Sequence, residues 1–258
     1  MRVLAFAPAC AAFFLAAGRL AAQDPFEIVV YPAATAERGE WELEAHVNYT
    51  ALGTSAFAGT VAPSQYQTHL ALELTRGITP NWEASFYLLG ARRPDVGAEY
   101  AGWRVRSRVR APQSWRLPFD LGFSAELSAP RPAYGGASPT LELTPILERR
   151  FGAVRLGLNA NVERDLGEGE AGGTSDGWEL EPAALVGVAV SSRVLLRLEY
   201  HGAWGELTDP LGPRAQVHQL FPGIDLRLGD ITLGLSAGAG TSNAANRLVF
   251  ASRVEFGL

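Results

Sequence analysis

Four arginines stand at every second position from Arg104 to Arg110. A strand turns successive side chains to opposite faces, so Arg104, Arg106, Arg108 and Arg110 share one side. A ladder of guanidiniums either binds anions or pairs with carboxylates on the neighbouring strands. Carboxylates recur at strand-like spacing elsewhere: Glu42 with Glu44, Glu179 with Glu181, and Glu83, Asp120, Glu126 and Glu255 on further alternating stretches. His46 and His69 add imidazole to the same faces. If Tyr49 pairs with Tyr66, His46 lies opposite His69, and two adjacent imidazoles with Glu44 nearby form a candidate metal site. Spacing fixes no third ligand, and nothing in the sequence calls for a cofactor.

Enzyme chemistry has less support. His201 sits on a polar face and His218 opens an alternating stretch, but neither carries a distinctive serine or aspartate motif. The expectation is therefore a protein without catalytic activity. The acidic stretch 165–177 contains Asp165, Glu168, Glu170 and Asp176. It lacks the regular alternation of oxygen ligands found in calcium loops and reads as a surface loop.

The elements that position these charges are strands. Across 40–50, Trp41, Leu43, Ala45, Val47 and Tyr49 oppose Glu42, Glu44, His46 and Asn48. The same alternation recurs over 65–75, 82–91, 100–111, 118–129, 140–149, 153–163, 178–190, 194–204, 217–228, 231–240 and 247–258. About twelve strands follow, each near the length a tilted membrane strand needs. The expected architecture is all-β: a closed antiparallel transmembrane barrel over 40–258. Apolar faces meet lipid and charged faces line the lumen, where Glu83, Asp120 and Glu126 flank the arginine ladder. Longer breaks near 51–64, 92–99, 130–138, 165–177, 205–216 and 241–246 alternate with shorter ones near 76–81, 112–117, 150–152, 191–193 and 229–230. Long outer loops and short periplasmic turns are the expected asymmetry. A soluble sandwich also alternates. Against it stand Trp41, Trp82, Trp103, Trp178 and Trp204, which fall on apolar faces near strand ends as interfacial anchors do.

The first 22 residues set the compartment. A positive Met1-Arg2, an apolar run from Val3 to Ala17 and small residues before Gln23 make a secretory signal peptide. The single cysteine, Cys10, lies within it, so the mature chain has no thiol chemistry. The formal net charge of −5 argues against nucleic acid as a partner. Residues 23–39 contain Phe26, Ile28, Val29, Val30 and Tyr31, too apolar a group to float freely. This segment is expected to tuck into the lumen or against the periplasmic rim, as a possible plug.

The last stretch, Val254-Glu255-Phe256-Gly257-Leu258, resembles the C-terminal assembly signal of Gram-negative outer-membrane proteins. It departs from that pattern in ending on leucine rather than an aromatic. With the mature opening Asp24-Pro25-Phe26-Glu27-Ile28-Val29-Val30-Tyr31, the chain looks similar to the broad set of porin- or transporter-like outer-membrane barrels. The resemblance implies an outer-membrane location, contact with its lipid, and insertion by the barrel-assembly machinery through the last strand. The functional expectation is a narrow channel or transporter for small polar or charged solutes. A closed barrel with a salt-bridged lumen is the alternative, and an outer-membrane enzyme a third reading.

Overall fold

The computed structural model describes residues 24–136, 138–167 and 177–258. The expected signal peptide, with Cys10, lies outside the described residues, as do residues 168–176 of the acidic loop. Among the described residues the chain forms twelve strands: β1 (Trp41–Leu52), β2 (Thr68–Thr79), β3 (Trp82–Arg93), β4 (Gly97–Arg110), β5 (Asp120–Pro130), β6 (Thr140–Phe151), β7 (Val154–Asp165), β8 (Glu179–Ser191), β9 (Val194–Ala203), β10 (Val217–Leu228), β11 (Ile231–Gly240) and β12 (Leu248–Gly257). One short helix, α1 (Pro132–Gly135), interrupts the loop between β5 and β6. Each strand pairs antiparallel with its sequence neighbours, and β12 pairs back onto β1. Closure leaves no sheet edge, which is what hydrocarbon requires of a strand-built protein.

The outward face is apolar and large. Leu72, Leu74, Phe86, Leu88, Val105, Val109, Phe123, Leu196 and Leu198 all remain exposed. A contiguous apolar surface of this kind belongs against lipid. The inward face inverts the chemistry, because the side-chain period is two: Glu73, Glu83, Arg104, Arg106, Arg108 and Glu126 are all buried.

Two-residue turns at 80–81, 152–153, 192–193 and 229–230 mark one rim, called lower below. The upper rim carries the longer connections 53–67, 131–139, 166–178, 204–216 and 241–247. Two connections depart from the expected lengths. The upper β3–β4 link is only 94–96, and the lower β4–β5 link extends over 111–119 around a 3-10 turn at Gln113–Trp115. The first cause is a bulge. The register of β3 on β4 slips between Leu89 and Gly90, beside Gly102 at φ 145°, and Ala101 and Gly102 are both buried. That fault in the alternation hides the first three residues of β4, 97–99.

The first hairpin also differs from expectation. Tyr66 adopts a left-handed φ of 63° and belongs to the loop, so β2 begins at Thr68 and runs on to Thr79. Tyr49 pairs with Thr68, not Tyr66. His46 consequently faces Ala71, and His69 faces Asn48. The two imidazoles do not meet across the hairpin.

Candidate functional site

The lumen holds the chain's own N-terminal segment. Residues 24–36 run through it without joining a strand ladder. Apolar side chains along the segment enter different pockets in the wall. Phe26 packs with Ala71, Tyr87, Leu89 and Tyr134. Ile28 packs with Phe221, Val249 and Ala251. Val30 meets Ala183 and Leu185, and Tyr31 with Ala33 meets Ile146. These inward apolar residues break the polar pattern of their strands, and that break is the sequence signal that a guest occupies the lumen.

A segment outside any ladder still needs partners for its backbone. Lumen side chains supply them. Tyr31 N donates to Asn159 Oδ1 at 2.6 Å, and Asn159 Nδ2 donates back to Tyr31 O at 3.2 Å. Ala36 N donates to Glu83 Oε2 at 2.6 Å, and Ala33 N to Glu148 Oε2 at 3.3 Å. Asn48 Nδ2 donates to the carbonyls of Pro25 and Phe26 at 2.9 and 3.0 Å.

The arginine ladder is occupied along most of its length. Arg104 donates to both carboxylate oxygens of Asp24, at 2.6 and 2.7 Å, while its Nε lies 3.4 Å from Glu126 Oε1. Arg106 bridges Glu27, at 3.2 Å, and Glu73. Its guanidinium also lies over the rings of Tyr31 and Tyr87, 4.7 and 5.0 Å from their centroids. Arg108 pairs with Glu83 at 2.5 Å. Arg110 leaves the lumen: its Nε donates to Pro80 O at 3.0 Å in the lower turn. Charges taken out of water are tolerable only when paired and hydrogen-bonded in this way.

The acidic residues fall into three groups. Glu83 and Glu126 flank the ladder as described. Glu42, Glu44 and Glu255 gather near the lower rim, with Glu44 directly opposite Glu255 across the β1–β12 seam. Glu179 and Glu181 border the upper half of the lumen. Asp120 does not join them: it is exposed at the lower start of β5, opposite Glu148.

The histidines have separate surroundings. His46 Nε2 lies 3.3 Å from Glu44 and 3.8 Å from Glu27. His69 packs edge-on against Phe26, centroids 4.8 Å apart, with Tyr134 at 6.0 Å. The metal pairing of His46 with His69 is thus replaced by a different trio, since ligand atoms of Glu27, His46 and Glu73 lie within 4.8 Å of one another. Arg106 already places its guanidinium on Glu27 and Glu73, so a dication there would meet a fixed positive charge. His201 sits 3.3 Å from Glu199 and edge-on to Phe221, and His218 Nδ1 is 2.7 Å from the Tyr200 hydroxyl. Above the lumen, Tyr134 donates to Glu99 at 2.5 Å; burial and that hydrogen bond push its phenol up to about 12.

One cavity of about 230 Å³ lies above the segment and one of about 520 Å³ below it. The residues common to both linings are Glu27, Val29 and Tyr31, all from the N-terminal segment. These three residues, with the Arg106 ion pairs beside them, lie between the two.

No protein-family profile matches the chain, and no curated protein matches it in sequence. Solved structures do match in shape. The KdgM porin superposes with a TM-score of 0.57 at 6% identity, covering 83% of this chain and 98% of its own. KdgM porin in complex with disordered oligogalacturonate gives 0.56 at 6% identity, with the same coverage. The NanC porin gives 0.54 at 9% identity, covering 84% of this chain and 100% of its own. Closed strand order, lipid-type exterior and these likenesses agree: the chain is a twelve-stranded antiparallel β-barrel with the fold of outer-membrane porins.

Proposed function

We propose that the protein is a narrow outer-membrane channel for small polar or charged solutes, held shut by its own residues 24–36. One observation carries the reading: Glu27, Val29 and Tyr31 are all that the upper and lower cavities share. Removing that partition joins them along the barrel axis. The segment's charged anchors, Asp24 and Glu27, are carboxylates seated on the arginine ladder, so a charged solute has groups to compete for. The likeness to a porin held in complex with oligogalacturonate supports a charged solute as the cargo class. In this reading the signal peptide at 1–22 exports the chain. The assembly machinery takes up the last strand, and the long-loop rim faces outward.

Planar-bilayer recording tests it. The intact protein should show rare, small openings, and a chain lacking residues 24–36 should conduct steadily. A second reading rests on the ion pairs that fill the centre of the lumen: a closed structural barrel. Silence from both proteins would establish that reading and sink the channel.

A further inference from the structure

The upper cavity is walled by an unusual row of like charges. Glu126 pairs with Glu142, Glu142 with Glu163, and Glu163 with Glu179, each directly across from the next on β5 to β8. All four face the cavity. Like charges directly opposite destabilise a sheet, so a run of them stands at a cost in folding. Neighbouring threonines offset part of it: Thr144 donates to Glu142 at 2.9 Å and Thr140 to Glu163 at 3.2 Å. Only Arg104 and Arg164 bring positive charge to the cavity among the described residues. Both terminal nitrogens of Arg104 are committed to Asp24. The stretch 168–176 contains no arginine or lysine.

A separate observation points the same way. Three buried atoms on residues that line this cavity have no hydrogen-bond partner among the described residues: Glu126 Oε2, Asn161 Oδ1 and His69 Nδ1. Glu126 and His69 are only 6% and 3% exposed, so bulk water does not satisfy them cheaply. The amide oxygen accepts, the carboxyl oxygen accepts when Glu126 is ionised, and the imidazole nitrogen accepts whenever its ring carries the proton on the other nitrogen. What is missing is a donor-rich cation. Aromatic faces are at hand too, since Phe26 and Tyr134 line the same space.

We infer that the upper cavity is a binding site for a small organic cation bearing an ammonium or guanidinium group. The acceptors are spread along a wall rather than converging. Among the described residues, the trio whose ligand atoms lie within 4.8 Å of one another is Glu27, His46 and Glu73, outside this row. A bare metal ion fits such spread acceptors poorly, whereas a group with several N–H bonds on an apolar stem spans them. The cavity of about 230 Å³ suits a small amine. The site does not depend on whether the barrel conducts.

Calorimetric titration of the refolded full-length protein in detergent at pH 8 tests the site without recording current. The probes are butylammonium and butylguanidinium, with tetramethylammonium, butanol and calcium as comparisons. Saturable binding of the first two is expected, with tetramethylammonium at least tenfold weaker because it has charge but no donor. The double variant E126Q/E163Q should weaken butylammonium binding at least tenfold, and D120N, at the exposed rim, should leave it unchanged. Equal binding of tetramethylammonium and butylammonium would reduce the site to diffuse charge and overturn the inference. So would binding of calcium alone, or no binding by any cation. The probe comparison on the wild-type protein decides the matter even if the double variant fails to fold.

Discussion

Asp24 caps Arg104 with both oxygens of its carboxylate, at 2.6 and 2.7 Å, across eighty positions of sequence. It joins the start of the inner segment to the middle of the barrel wall. Charge-assisted hydrogen bonds of this kind contribute roughly 1.5–3 kcal/mol each when buried, and less here because Asp24 is partly exposed. Asp24→Ala should weaken docking of the segment by about 2 kcal/mol, roughly a thirtyfold shift in its population. In single-channel records the open fraction should rise by that order. An unchanged record would show that Asp24 does not hold the segment in place.

Phe26 is the largest apolar anchor and is almost fully buried among Ala71, Tyr87, Leu89 and Tyr134. Phe26→Ala should cost about 3–5 kcal/mol of docking, the usual range for emptying an aromatic pocket. Limited proteolysis reads this directly, because the freed segment becomes a substrate while the barrel stays resistant. Equal cleavage in wild type and variant would contradict the tight seating of Phe26.

Gly77 marks where the segment leaves the barrel. A Cβ built at Gly77 would fall 1.9 Å from the backbone oxygen of Glu37, far inside contact distance. Backbone on both sides cannot give way cheaply, so Gly77→Ala should push residues 36–37 off the lower rim and break the Gly77 N to Glu40 O hydrogen bond. The expected outcome is a folded barrel, by far-UV circular dichroism, with raised conductance. A barrel that conducts no more than wild type would show that the exit path is not confined to this contact.

The outward register is tested on β2. Leu72 faces outward between the inward Ala71 and Glu73. Leu72→Arg should lower the free energy of folding into bilayers by about 2–4 kcal/mol, the range for arginine at mid-membrane depth. Urea titration of refolding into vesicles measures it. A change below about 0.5 kcal/mol would mean that Leu72 does not meet hydrocarbon, and the lipid-facing assignment of β2 would fail.

Most of the wall was legible because alternation is local. Trp41 to Tyr49 repeats with period two, and the same pattern recurs in the other strands, so twelve strands and their faces follow from neighbours along the chain. The faults lie where backbone geometry departs from ideal: the bulge beside Gly102 concealed the start of β4, and left-handed Tyr66 moved the first hairpin's pairing by two residues. That shift separated His46 from His69. Contacts inside the lumen were less legible, since Arg104 with Asp24 and Asn159 with Tyr31 join positions 80 and 128 residues apart. No periodicity encodes such a pairing. Inward Leu185 and Phe221 were its visible trace: apolar side chains where a water-filled lumen has no use for them.

The inner segment is continuous with β1, and this sets a concentration scale. A ligand joined by a short tether faces its site at an effective concentration on the order of millimolar. Asp24 and Glu27 are joined covalently to β1 through residues 28–40, so they behave as a permanent competitor for Arg104 and Arg106 at about that level. A free solute with a single matching carboxylate gains nothing at micromolar abundance. In the channel reading proposed above, one presenting several charges to the ladder at once competes with the segment where a single carboxylate does not.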